Sequence, residues 1–257
     1  MRENITKFDL LVTDFDGVLC DSARECLLVT YNAYHRLRES AFSRLLDIQA
    51  IPPETQRAFR QLRPYLKGAE DFIPIFTTIE QRLPISSQRE FDDFRETMRD
   101  RLAEYVALFY AERDVLIRHA PGVWLSLNPL FDDFAAMLRA RSSFDNMYIL
   151  TTKRQEDVLE IFRHQQVNFP ARQIIYVKAA EKTARLLALL QEVGVVPAQA
   201  AYIEDQVDFL AASKQRGVQS FLVDWGYVSA EQQAVARQEG IPIIAMPRLR
   251  ELFAAMP

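Results

Sequence analysis

The chain has 257 residues, nearly half of them hydrophobic and about a quarter charged, a balance that suits a folded globular protein able to bury its own core. Its formal charge of -4 and the lack of a dominant Lys/Arg cluster exclude the basic footprint of a nucleic-acid binder, so any anionic ligand has to be held by a few local donors or by a metal. Apolar runs are interrupted by charge well before membrane-spanning length, the start before Asp9 is polar, and Cys20 and Cys26 are too few for a disulfide framework. The expectation is a cytoplasmic protein with neither a membrane nor a nucleic-acid partner.

Phe8–Phe15 (FDLLVTDF) is a short apolar run ending in acid and followed by Asp16-Gly17, which predicts a buried strand and a turn. From Asp21 the period changes to that of helices, with Leu27, Leu28, Tyr31 and Tyr34, and later Phe91, Phe94, Met98, Leu102, Tyr105 and Leu108, on shared faces. Ile51-Pro52-Pro53, Pro64, Pro74 and Pro84 should break this stretch into several helices. No strand pattern occurs between Asp21 and His119.

A different rhythm begins at Ala120. A helix over 131–140 leads to the run Met147–Leu150, one over 156–165 to Ile174–Val177, and one over 181–193, stopped by Gly194, to Ala200–Ile203. A helix over 209–215 leads to Ser220–Val223, and one over 230–238 to Ile241–Ala245; a last helix runs from about 248 to 255. Strands alternating with helices indicate a doubly wound, Rossmann-like α/β core with a parallel sheet. Residues 1–20 and 120–257 would form this core, and 21–119 an inserted all-helical domain.

Open parallel sheets bind ligands beyond the carboxyl ends of their strands. Those positions hold Asp14, Asp16 and Gly17 after the first strand, and Thr151, Thr152 and Lys153 after the second. The third offers Lys178 and, at the next helix start, Lys182; the fourth offers Glu204, Asp205 and Asp208. Two groups of acids facing each other need a cation between them. Mg²⁺ suits one or two carboxylates plus phosphate oxygens, with hydroxyls and an ammonium left for the rest of the phosphate.

DFDGVL at Asp14–Leu19 resembles the first motif of the haloacid dehalogenase-like superfamily in its phosphatase form. Ile149–Lys153 is similar to its second motif, Lys182 falls where its third-motif lysine belongs, and Tyr202–Asp205 resembles its acidic fourth motif. Asp224-Trp225-Gly226-Tyr227 is similar to a late loop of phosphoglycolate-phosphatase-like members, and a helical insert after the first motif resembles their cap. The resemblance implies a Mg²⁺-dependent phosphatase acting on a small phosphorylated metabolite. Asp14 would be the nucleophile that becomes an aspartyl-phosphate. Asp16 would be the general acid and then the base, with its backbone carbonyl on the metal. Thr151 and Lys182 would hold the phosphoryl group beside Gly17 and Thr152, and Asp205 would complete the metal site with Asp14 and Asp16.

Two motifs depart from the pattern. The fourth reads Glu204-Asp205-Gln206-Val207-Asp208, so counting from either end makes Asp205 or Glu204 the ligand, with Asp208 a helix-dipole charge or a further ligand. The third lacks the usual proline after its lysine, which leaves Lys178 as a competitor of Lys182. A sugar-phosphate mutase would use the same residues, and a catalytically silent binding protein is the alternative from another class. Thr151 could also cap the next helix. Glu70 and Asp71 read as solvated, His35, His119 and His164 lack triad or zinc spacing, and Phe72, Phe76 and Phe109 read as helix core. Trp225 and Tyr227 fit a position beside the site.

Overall fold

The computed structural model describes residues 8–39, 41–131 and 134–254. The polar start ahead of Phe8, two residues of the helix expected over 131–140, and the expected last residue of the final helix lie outside them. The chain divides into two compact units, Met1–Asp21 with Leu130–Pro257, and Ser22–Pro129. The second junction falls later than 119/120 because a short helix after the insert's last long one packs on it.

In the first unit, β1 (Leu10–Thr13), β2 (Met147–Thr151), β3 (Ile174–Tyr176), β4 (Ala200–Glu204), β5 (Gln219–Val223) and β6 (Ile243–Ile244) form one parallel sheet in the order β3-β2-β1-β4-β5-β6. The central strand β1 reads LLVT and is buried throughout, as a strand covered on both faces must be. Side chains alternate along it, so Leu10 and Val12 join Leu186, Leu189, Leu190 and Leu210 in one apolar layer. Phe15, just past the strand, meets Phe162 edge-on at 5.5 Å in the opposite layer. The run expected as a strand over 241–245 pairs only at Ile243–Ile244. The Ile241 amide closes the preceding helix on Ala236, and Pro242 has no N–H to donate.

The helical unit contains α1 (Ala23–Arg38), α2 (Pro53–Leu62), α3 (Phe72–Glu80), α4 (Gln88–Glu96), α5 (Leu102–His119) and α6 (Pro121–Ser126). Among its described residues no strand occurs. Pro74 does not break the chain here: it sits in the first turn of α3, where its missing N–H has no intrahelical partner to lose. That helix is buried from Phe72 through Thr78, so it is the core of the unit and not an amphipathic cover. Phe72 stacks on Phe109 at 4.4 Å and on Phe59 at 6.4 Å. The apolar period from Phe91 to Leu108 is cut between α4 and α5 by a tight turn at Arg99–Arg101. Two ion-pair groups on buried acids tie the unit together: Arg113, itself buried, holds Glu25 through two bonds of 2.8 and 2.9 Å, and Glu112 receives the partly exposed Arg36 at 2.7 Å and Arg44 at 2.6 Å.

Asp71 corrects the expectation of a solvated acid. It is buried, accepts the Lys67 and Gly68 amides at 2.8 and 3.1 Å, and lies 2.6 Å from Arg95. Burial pushes its pKa up to about 6 even so, with Glu70 adding to the rise. A Gly-Ala-Glu-Asp stretch looks like a polar loop in sequence, but here it is the capping turn that starts α3.

The helices of the core are α7 (Phe134–Arg139), α8 (Gln155–His164), α9 (Lys182–Val193), α10 (Val207–Lys214), α11 (Ala230–Gln238) and α12 (Met246–Ala254). Where the chain leaves the core and where it returns, the two ends are stitched together. Cys20 bridges Leu130, and the Phe131 amide donates to the Leu19 carbonyl at 3.0 Å.

Candidate active site

The strand order reverses direction between β1 and β4, and a crevice opens there at their carboxyl ends. Asp14 follows β1, and Glu204 and Asp205 end and follow β4. The backbone joins them, since the Asp14 amide donates to the Ile203 carbonyl at 2.9 Å. All three acids are buried, and each offers a carboxylate oxygen within 4.8 Å of the others'.

One Asp14 oxygen accepts the Phe15 amide at 2.6 Å, and the other lies 2.8 Å from Lys182 Nζ. The same ammonium lies 2.8 Å from Glu204, whose other oxygen finds no partner. Tyr202, two residues earlier on the same face of β4, donates its hydroxyl to Glu204 at 2.7 Å. Burial raises Asp14 to about 7, and the Glu204 charge adds to the rise while Lys182 opposes it. Burial likewise raises Glu204, Lys182 opposing. Burial alone would lower Lys182, but the two carboxylates outweigh it and hold the ammonium charged.

Asp16 is partly exposed and lies 3.3 Å from the buried ammonium of Lys153. The turn that follows Asp16 needs Gly17, whose φ is +82°. A Cβ there would sit 2.0 Å from an Asp205 oxygen. Gly226 is constrained in turn, because its Cβ would fall 2.2 Å from the Gly17 carbonyl. The loop after β5 thus closes on the first turn: the Tyr227 amide donates to Asp205 at 3.1 Å, its hydroxyl to Asp21 at 2.9 Å, and Trp225 Nε1 to the Val18 carbonyl at 3.1 Å.

The remaining sequence candidates separate. Thr151 is buried, and its hydroxyl accepts the Lys153 amide at 3.1 Å; it does not cap α8, whose N-cap is Arg154. Thr152 beside it is half-buried. Lys182 stands at Asp14, while Lys178 is exposed. Asp208 is exposed in the first turn of α10, outside the acidic cluster. His119 and His164 are exposed, and Phe72, Phe76 and Phe109 are buried in the helical unit. Tyr227 stands beside the site as the late loop suggested, while Lys153 and Tyr202 make contacts that the motif reading did not assign. The strand alternation that pairs Tyr202 with Glu204 was the available signal for one of them.

The donor set fits a hard divalent cation. Ligand oxygens on an octahedral Mg²⁺ lie about 2.9 Å apart when adjacent and about 4.2 Å when opposite, so three oxygens within 4.8 Å of one another would draw inward to share one ion. Asp14, Asp16, Glu204 and Asp205 face Lys153 and Lys182, which leaves two negative charges when all are ionised. The unpartnered Glu204 oxygen, buried in that field, is what a bound cation would satisfy.

No protein-family profile and no curated protein sequence matches this chain. Solved structures do. A predicted phosphatase from Clostridium acetobutylicum is 13% identical with a TM-score of 0.60, covering 97% of this chain and 98% of its own. A haloacid dehalogenase-like family hydrolase from Streptococcus pneumoniae is 17% identical at a TM-score of 0.57, over 95% and 97% of the two chains. A hydrolase of the same family from Deinococcus radiodurans, solved with phosphate and sodium, is 17% identical at 0.54, over 96% of each. The likeness spans nearly the whole length of both partners, so the insert is shared along with the sheet.

Proposed function

From a chain that has the fold of haloacid dehalogenase-like hydrolases, we propose a Mg²⁺-dependent phosphatase that hydrolyses a small phosphorylated metabolite through an aspartyl-phosphate. The observation that carries this reading is the convergence of Asp14, Glu204 and Asp205 on one crevice, with Lys182 bonded to two of them. Asp14, Asp205 and Glu204 would hold the cation, which supplies charge neutralisation for the incoming phosphoryl oxygens.

The chain's own residues account for the rest. An Asp14 oxygen attacks phosphorus in line with the ester oxygen, and the P–O bond to the alcohol breaks. The carboxyl of Asp16 gives its proton to the departing oxygen. As a carboxylate, Asp16 then takes a proton from the water that attacks the aspartyl-phosphate, which releases inorganic phosphate and restores Asp14. Lys182 aims Asp14 and opposes the burial that raises it. Lys153 gives Asp16 a counter-charge and a fixed direction. The Thr151 hydroxyl, with Thr152 and the amides of the Gly17 turn, supplies donors for the phosphoryl oxygens. No helix among the described residues is long and apolar enough to cross a membrane, and a cytoplasmic location is part of this reading.

The test is hydrolysis of p-nitrophenyl phosphate. Turnover should need Mg²⁺, stop in EDTA, and stop in Asp14→Asn. Turnover that persists in Asp14→Asn removes the assigned nucleophile, and a protein inert toward a broad phosphate-ester panel that also fails to bind Mg²⁺ removes the enzymatic reading.

A further inference from the structure

The helical unit holds a groove of about 620 Å³ whose lining belongs to its own first two helices. Its floor is apolar: Ala23 and Leu27 from α1 and Phe59 from α2 are buried, with Pro53 at one end. Its rim is cationic and amide-bearing, with Arg24, Arg57, Arg60 and the side chains of Gln56 and Gln61. No acid lines it. Elsewhere in this unit Arg36, Arg44, Arg95 and Arg113 meet carboxylates. Among the described residues, neither Arg24 nor Arg57 has a carboxylate at ion-pair distance. Arg57 and Arg60 are three apart on α2, so both guanidinium groups rise from one helix face.

We propose that this groove binds a small organic anion, a carboxylate or phosphate ester with an apolar body. Three features select that class. The volume is in the range of pockets for metabolite-sized ligands. The guanidinium groups offer paired donors that match the two oxygens of a carboxylate or phosphate. The Leu27–Phe59 floor covers hydrocarbon or an aromatic ring lying against it, which inorganic phosphate would leave bare. Net charge argues the same way: a chain of -4 that sets Arg24 and Arg57 on one groove concentrates anions there against its own overall field.

The anion is a ligand of the helical unit, separate from the ester being hydrolysed. The probe is naphthoate, with neutral naphthylmethanol as comparator, titrated by calorimetry into the full chain and into the double variant Arg24→Gln/Arg57→Gln. Both arginines are exposed, so the variant should fold, as its circular dichroism and melting temperature will report. Naphthoate should bind the wild type more tightly than naphthylmethanol does and lose at least about tenfold in affinity in the variant, while naphthylmethanol changes little. Equal affinity of naphthoate for both proteins, or no preference for it over the alcohol, overturns the proposal.

A kinetic arm, which does rest on the phosphatase reading, reads the effect of occupancy. A change in kcat with naphthoate that is lost in the double variant supports an effector site. A response that is unchanged in the double variant counts against the groove. The binding arm needs no turnover, so a failed phosphatase assay leaves it intact.

Discussion

The metal-free protein should be stabilised by removing the charge of its proposed nucleophile. Burial, helped by Glu204, raises Asp14 from 3.8 to about 7. Between those values the folded chain keeps a proton that the unfolded chain has released. Stability is therefore full below the unfolded value, falls as pH rises toward about 7, and stays low above it. At ~1.4 kcal/mol per pKa unit, a rise of about three units costs about 4 kcal/mol near pH 8 and less than about 1 kcal/mol near pH 4. Asn has the shape of the neutral acid. Asp14→Asn should thus recover ~2–4 kcal/mol at about pH 8 in EDTA and almost nothing at about pH 4. Urea unfolding at the two pH values measures this. Added Mg²⁺ should raise the midpoint of the wild type more than that of the variant. A variant that is no more stable than the wild type at high pH, or equally stabilised at both, would refute the account of a strained carboxylate.

Three other outcomes follow from the packing. Gly17→Ala should abolish hydrolysis and cost at least ~2 kcal/mol, because the side chain would need a positive φ and would strike Asp205; an active, stable variant would show that the turn adapts. Lys182→Met should destabilise by roughly 3–5 kcal/mol by leaving Asp14 and Glu204 buried without their cation, and adding Glu204→Gln should restore part of it; strictly additive losses in a double-mutant cycle would argue against the triad. In the helical unit, Glu25→Gln should cost about 3–5 kcal/mol in thermal or urea unfolding by orphaning Arg113, and a change below about 1 kcal/mol would mean that the pair is solvated in solution.

Much of the core was legible because its signals are local. A run such as LLVT between a polar start and Asp-Phe-Asp-Gly can hardly be anything but a covered parallel strand, and the alternation from Met147 onward repeats that signal. The acids at strand ends followed from the same reading, since the sheet topology alone brings Asp14 and Asp205 to one crevice. Contacts that depend on long-range closure were not legible. Nothing near Lys153 indicates that its ammonium reaches Asp16, and nothing near Tyr227 indicates that its amide holds Asp205. The insert was the least readable part. Proline marks where helices can start as well as stop, which is why Pro74 misled, and an acid in a Gly-x-x-Asp turn gives no sign in sequence that it will be buried against Arg95.

The stitch at the root of the insert has a consequence for how the chain can be cut. Cys20 and Leu130 lie side by side, Leu19 and Phe131 share a backbone bond, and Tyr227 holds Asp21 from the core. These bonds join core residues to core residues, and joining the two posts with a few flexible residues should cost less loop entropy than the long insert does. A chain with Ser22–Pro129 replaced by such a tether should still melt cooperatively and bind Mg²⁺, and a molten product would mean that the frame needs its tenant.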